Sequence, residues 1–396
     1  MAEEHGIRDS LSWLIGSTSK TEFFESYHEQ RALHCGHGDA ARFAELLGIG
    51  RIDEIISSTD LKPASLSMAR SQPPIKRSNY TFSNGNIDRG AVIRHFQCGA
   101  TIILNQLHLA DARLARFCRS LEDLLSCRVQ SNVYLTPPGS QGFGTHYDDH
   151  DVFIVQVSGA KKWRLYERPV DNPYSGEGFK AGVHDPGKLE QEFLLQAGDC
   201  LYIPRGLMHD ASSHGDEPSL HITTGLIVRK WADLMLEAVS EVALRNPKFR
   251  RSLPAGFARP DFDEESLEEQ FRELAKEFAE QADFSEVLSF FRASFVRERR
   301  PELQGALVDA SLPVSNADLY ERRPSLQVLL RHDDSEVVIV CPGGNIHFEK
   351  EALPGLQAFL AGEPFSKADF SDLEEEKRTE TIRRLSAFGL VRRVSQ

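Results

Sequence analysis

Apolar and charged positions alternate at helical spacing through residues 8–50, where Ser19 and Glu22 stand three apart ahead of Phe23, Phe24 and Tyr27. A Ser followed three residues later by Glu can satisfy two backbone donors at a helix start, so this spacing predicts a capped helix within a helical entry segment. From about 61 to 90 the periodicity stops. Pro63, Pro73 and Pro74 and the run Ser83-Asn84-Gly85-Asn86 mark loops there. Residues 106–125 set Leu107, Leu114, Phe117, Leu121 and Leu124 on one stripe with charges opposite, the pattern of a helix packed on a sheet.

Between 131 and 228 the period shortens. Strands are predicted at 132–136, 152–157, 163–166, 193–195, 200–203 and 220–228, most of them bounded by Gly, Pro, Asp or Ser. No helical stretch among them is long enough to carry a parallel crossover, so the expected architecture is an antiparallel jelly-roll barrel or sandwich and not a Rossmann sheet. From Lys230 the helical period returns. Residues 231–244 end at Asn246-Pro247, and residues 264–282 carry Leu267, Phe271, Leu274 and Phe278 at spacings of four, three and four. With Glu268, Glu269, Glu273, Glu277 and Glu280 on the remaining faces, that stripe needs a second helix to cover it, and a partner subunit is the expected source. Helices around 356–360 and 374–388, a stop at Gly389 and strands at 326–330 and 337–340 predict a small third domain of winged-helix type.

Composition narrows the function. The 396 residues are 40% hydrophobic and 27% charged, which excludes collagen-like, coiled-coil and largely disordered chains. Lys and Arg number 46 against 59 Asp and Glu, a net charge of -13, which has the wrong sign for gripping a phosphate backbone. Residues 301–396 alone hold 11 basic and 16 acidic side chains, so a DNA-reading winged helix lacks its basic face and no direct DNA contact is expected. The six cysteines include no CxxC pair and read as reduced thiols. The opening Met1-Ala2-Glu3-Glu4 is acidic where a secretory signal is basic, and no apolar run reaches eighteen residues. A cytoplasmic protein without a membrane span is expected.

The chemistry concentrates at residues 134–166 and 198–213. On a strand, residues two apart share a face, so His146 and Asp148 would project together while Tyr147 points away. His209 follows beyond the turn Pro204-Arg205-Gly206 as a third ligand. Two neutral imidazoles and one carboxylate leave three positions of an octahedral ion open, the facial triad of non-heme Fe(II) oxygenases, whereas structural zinc prefers four closed ligands. A His-x-Asp pair alone arises often by chance, and most histidines are solvated or simply hydrogen-bonded. Asp149 and His150 are rival ligands. Strand spacing would set His150 about 13 Å along from His146, too far to share one ion. A 2-oxoglutarate oxygenase also needs a cation for the distal carboxylate of its cosubstrate, and of the adjacent Lys161 and Lys162 only one can face inward on a strand.

These segments resemble the JmjC oxygenases of the cupin superfamily, and within them the ribosomal oxygenase branch of protein hydroxylases. The carrying residues are Asn132-x-Tyr134-x-Thr136-Pro137, Gly142-Phe143, His146-x-Asp148, Phe153-x-x-Gln156, Gly159-x-Lys161-x-Trp163, Gly198-Asp199-x-x-Tyr202-x-Pro204-Arg205-Gly206-x-x-His209 and Leu220-His221-x-Thr223. The resemblance covers residues 10–230 and extends in outline beyond them. It implies an α+β fold, a double-stranded β-helix barrel with flanking helices, in a catalytic domain over 1–228. A helical dimerisation region over 229–300 and a winged-helix-like domain over 301–396 would follow. It further implies Fe(II) held by His146, Asp148 and His209, 2-oxoglutarate held by Lys161 with Asn132, Tyr134 and Thr224 as polar pocket residues, and O2 as second cosubstrate. Thr145 departs from the small residue or Pro expected before the first ligand. The implied reaction is hydroxylation of an Arg or His side chain in a ribosomal protein, a basic substrate that suits an acidic, homodimeric enzyme. Two other readings stand beside it. One is the same oxygenase chemistry on a methyl-lysine, peptide or small molecule; the other is a non-catalytic cupin sensor joined to a DNA-binding winged helix.

Overall fold

The Gly- and Pro-bounded apolar runs of the first 228 residues form ten strands in a computed structural model that describes residues 9–174 and 176–394. The acidic Met1-to-Glu4 stretch lies outside the described residues. The strands are β1 (Leu33–Cys35), β2 (Leu66–Ala69), β3 (Thr101–Leu104), β4 (Arg128–Thr136), β5 (Asp151–Ser158), β6 (Ala160–Leu165), β7 (Gln191–Gln196), β8 (Cys200–Ile203), β9 (His209–His214) and β10 (Ser219–Ile227). They build a seven-stranded sheet in the order β1-β8-β5-β10-β4-β3-β2 and a three-stranded sheet in the order β7-β6-β9. All pairings are antiparallel.

Strand alternation explains the layering. Val152 and Ile154 on β5 and Leu201 and Ile203 on β8 turn towards Trp163, Leu165 and Leu195 of the smaller sheet, closing a jelly roll. Phe153 and Val155 point the other way, with Val129, Val133, Ile222 and Leu226, into a larger core covered by helices. Those helices are α1 (Ser10–Ile15), α2 (Lys20–Ser26), α3 (Ile49–Ser58), α4 (Arg89–Gln97) and α5 (Ala112–Leu125). Ser19 caps α2 by accepting from Glu22 N at 3.1 Å. Helix α5 starts at Ala112 and not at 106, because the Asp111 carboxylate accepts from Arg113 N and Leu114 N and fixes the first turn there. It buries Leu114, Phe117 and Leu121, each contributing about 2 kcal/mol by area, while Leu124 falls off the stripe and is exposed.

The chain divides into two units, Met1–Val228 and Arg229–Gln396. In the second, α6 (Trp231–Arg245), α7 (Glu265–Gln281), α8 (Phe284–Glu298) and α9 (Ala306–Ser311) precede β11 (Tyr320–Arg322), β12 (Leu329–His332), β13 (Glu336–Cys341) and β14 (Gly344–Glu349). Helices α10 (Leu353–Ala361) and α11 (Glu375–Ala387) and strand β15 (Val391–Arg393) complete it. Strands β12-β13-β14 form one antiparallel sheet, and β11 pairs with β15. Helix α8 was not expected from the sequence. Its Ala293, Phe295 and Val296 pack on Val340 and Leu329, so the helical stretch before residue 300 and the strands after it share a core. Around that core Tyr320, Ile339, Phe359, Phe370 and Leu385 are fully buried.

Candidate metal centre

His146 and Asp148 do not lie on a strand, contrary to the sequence expectation. They sit in the loop between β4 and β5, where His146 makes a single two-way bridge with His209 at the start of β9 (N to O distances 3.0 and 2.7 Å). Two residues on, the Asp148 carbonyl accepts from Gly206 N at 2.9 Å. These three backbone bonds do what strand parity was expected to do. Potential ligand atoms of His146, Asp148 and His209 all lie within 4.8 Å of one another, and His209 Nε2 is 3.8 Å from Asp148 Oδ2.

The ring protons are fixed by carbonyl acceptors. His146 Nδ1 donates to Gly144 O and His209 Nδ1 to Leu207 O, each at 2.9 Å, which leaves both Nε2 lone pairs facing the Asp148 carboxylate. Burial, and then the neighbouring His146, hold the His209 imidazole well below its usual range, so it stays neutral and able to donate a lone pair. His150 is outside the cluster. It pairs with Asp149 at 3.0 Å, and its ring fills the space that a Cβ on Gly225 would occupy.

A cavity of about 300 Å³ opens beside the triad, lined among others by Tyr134, Phe143, Lys161, Trp163, His221 and Thr223. On β6, Lys162 points out to Glu192 at 2.7 Å, and Lys161 points in and is 5% exposed. Among the described residues no carboxylate pairs with Lys161, and burial pushes its ammonium down to about 7. Across the sheet Tyr134 and His221 are direct strand partners, and their rings stack at 4.8 Å and 4°. Burial first, and then the Lys161 charge, keep His221 neutral. His221 Nδ1 and Trp163 Nε1 are buried without a hydrogen-bond partner among the described residues.

Asn132 is one row along from Tyr134. It accepts from Gln106 N at 2.8 Å, supporting the cavity wall without lining the cavity. Thr224 is not brought to the site. Its hydroxyl meets Ser131 Oγ at 3.2 Å on the helix-covered face of the sheet, while His221 and Thr223 face the cavity. One residue of register reverses the face. The loop over 170–190 contributes Phe179, whose ring lies 6.3 Å from that of His146. Tyr147 anchors this loop by donating to Glu177 O at 2.7 Å, and His184 accepts from Lys180 N inside it, so His184 is no ligand. His28, Glu29 and Asp151 form a second cluster in which the Arg205 guanidinium already supplies the cation, 2.7 Å from Glu29 and 3.3 Å from Asp151.

Residues 103–234 match the JmjC domain family, and the triad, Lys161 and all the cavity-lining residues but Thr101 lie within that range. Over that range the chain is similar to JmjC domains. Around it, the chain is 30% identical over 260 residues to the bifunctional lysine-specific demethylase and histidyl-hydroxylase NO66 of Drosophila mojavensis, covering 63% of this chain and 29% of that protein. The NO66 of Dictyostelium discoideum is 30% identical over 261 residues, covering 63% and 50%. The chain therefore matches half or less of the length of these relatives. The fold extends further. The structure of YcfD, a ribosomal oxygenase from Escherichia coli, in complex with cobalt and succinic acid superposes with a TM-score of 0.56 at 17% identity, over 96% of this chain and 99% of that one. Its complex with cobalt and 2-oxoglutarate gives a TM-score of 0.54 at 16% identity, over 96% and 99%. At these identities the likeness shows a shared fold and nothing finer.

Proposed function

We propose that the chain is an Fe(II)- and 2-oxoglutarate-dependent protein hydroxylase acting on an Arg or His side chain of a basic ribosomal protein. The observation that carries this reading is the JmjC cavity itself, where two imidazoles and a carboxylate converge beside a buried lysine that no carboxylate pairs with among the described residues. The donor set fits a divalent ion with open positions. Lys161 fits a dicarboxylate, whose distal carboxylate would supply the missing anion, and the unpartnered His221 Nδ1 and Trp163 Nε1 give polar atoms for a polar occupant. Iron with 2-oxoglutarate and O2 supplies the oxidation of an unactivated C–H bond when bound. His146, Asp148 and His209 would hold the ion, Lys161 and Tyr134 would orient the cosubstrate, and the apolar walls at Phe143, Ile154 and Trp163 exclude water.

The likeness to NO66, a histidyl-hydroxylase, and to YcfD, a ribosomal oxygenase, supports a protein substrate. The net charge of -13 favours a basic partner. A cytoplasmic homodimer that does not touch DNA, with the helices of 229–300 as its dimer region and 301–396 as a winged-helix-like domain, completes the proposal. Lysine demethylation is the second reading, because NO66 is bifunctional and carries both activities. The test is anaerobic loading with Fe(II), then succinate release from 2-oxoglutarate in air, with and without ribosomal protein extract. Wild type should turn over and respond to the extract, and Asp148→Ala and His209→Ala should lose turnover by about a thousandfold or more, as removal of a metal ligand removes the chemistry. Mass spectrometry separates one added oxygen from a lost methyl. No metal binding and no turnover would promote the cupin-sensor reading.

A further inference from the structure

Two of the three candidate ligands ride on a Gly-rich loop and the third on a strand, joined by the single backbone bridge between His146 and His209, which a side-chain contact reinforces. The loop carries Gly139, Gly142 and Gly144 just before Thr145, which favours backbone freedom where precision is needed. The Asp210 side chain stands directly beneath it, adjacent to His209 on β9 and almost fully buried. Arg164, its cross-strand partner on β6, donates Nε to Oδ1 at 2.8 Å and approaches the same oxygen through Nη2 at 2.7 Å. Tyr166 donates to Oδ2 at 2.8 Å, and Thr145 Oγ1 donates to that same oxygen at 2.8 Å. Three of these four contacts come from one chain segment, residues 164–166, and make Asp210 a fixed post. The fourth reaches across to the residue immediately before His146.

We propose that Thr145 and Asp210 are positioning residues, a clamp that sets the separation of His146 from His209 and thereby the affinity and coordination geometry of the metal. The inference rests on the metal-centre reading above. Thr145 lies between Gly144, whose carbonyl orients the His146 ring, and His146 itself, so its hydroxyl bond pins the backbone on which that orientation depends. The competing role for Asp210 is purely structural, a cross-strand pair with Arg164 that holds β9 on β6 and is indifferent to the loop. The two differ in what Thr145 does. In the structural role the Thr145 hydroxyl is dispensable for metal binding, and in the clamp it is required.

The experiment uses the full chain and Co(II), read by competition titration and by visible absorption of the loaded protein. Thr145→Val keeps shape and removes one hydrogen bond. It should weaken Co(II) binding by about tenfold or more and alter the absorption bands, while the melting temperature of the metal-free protein stays at the wild-type value. Thr145→Ser, which restores the hydroxyl, should recover both affinity and spectrum. Asp210→Asn should follow Thr145→Val, and if it does not fold the Thr145 pair decides alone. Wild-type affinity and spectrum in Thr145→Val, or no recovery in Thr145→Ser, overturns the clamp while leaving the metal centre standing. A wild-type protein that binds no Co(II) overturns both together.

Discussion

Lys161 shows how a single buried charge ties stability to ligand binding. With its pKa lowered from 10.5 to about 7, the folded chain gives up a proton that the unfolded chain keeps between those two values. Stability therefore rises with pH across that window and is lowest below it, by at most about 5 kcal/mol. Lys161→Met should raise the melting temperature of the ligand-free protein at pH 6 and lose that advantage towards pH 10, a trend read by calorimetry in a pH series; a gap independent of pH would refute the assignment. A bound dicarboxylate would offset the same cost in the wild type. The residue was legible in part. Adjacent lysines on a strand must face opposite ways, and β6 follows that rule, but only the family resemblance told which of the two turns inward. Thr224 failed at the same level of detail. A one-residue register choice placed it in the cavity, and the β10–β4 pairing that would have corrected it, with His221 opposite Tyr134, is a long-range fact that no local pattern carries.

At the scale of elements, the strands of the barrel were read nearly to their ends because their core-facing positions alternate with Gly- and Pro-bounded turns. Strand β9 was missed. Its sequence, His-Asp-Ala-Ser-Ser-His, has no apolar face, and it is a strand because β6 pairs with it and because His209 and Asp210 have work to do at its start. Strands β1, β2 and β3 were hidden for a different reason, being three or four residues long and lying in stretches read as helix or loop. The turn that delivers β6 was legible through Gly159, which holds φ at 62° and whose Cβ, if present, would sit 2.5 Å from the Pro218 carbonyl oxygen. Both facts forbid a side chain. Gly159→Ala should cost about 1–3 kcal/mol of stability from backbone strain, plus whatever the backbone shift adds. Urea unfolding measures it, and because Lys161 follows two residues later, succinate binding should weaken in the same variant; full stability with unchanged binding would show that the turn is not constrained.

At the scale of the whole molecule, every residue of the candidate centre comes from the first unit of one chain, between Thr101 and Thr223, whereas the exposed apolar surface is concentrated in the second. Trp231 is 76% exposed, Leu244 78% and Phe271 70%, on helices whose other faces are acidic. Isolated exposed apolar residues are ordinary, but Trp231, Met235 and Val239, recurring along α6 at spacings of four, with Phe271 exposed on α7, are the pattern expected of a surface that a second copy covers. The sequence showed the spacing of Leu267, Phe271, Leu274 and Phe278. It did not show that Leu267, Leu274 and Phe278 are only half-buried within the chain while Phe271 is exposed, which is what a partner would complete. Replacing Phe271 and Leu274 together by Glu should convert a dimer to a monomer, measured by light scattering, because the pair adds two charges to a face that must be desolvated. An unchanged mass would sink the dimer. The same variant separates assembly from chemistry, since a centre built from one chain should keep its Co(II) affinity in the monomer. Loss of affinity there would mean that the partner subunit shapes the cavity, and the dimer would then belong to the site and not only to the fold.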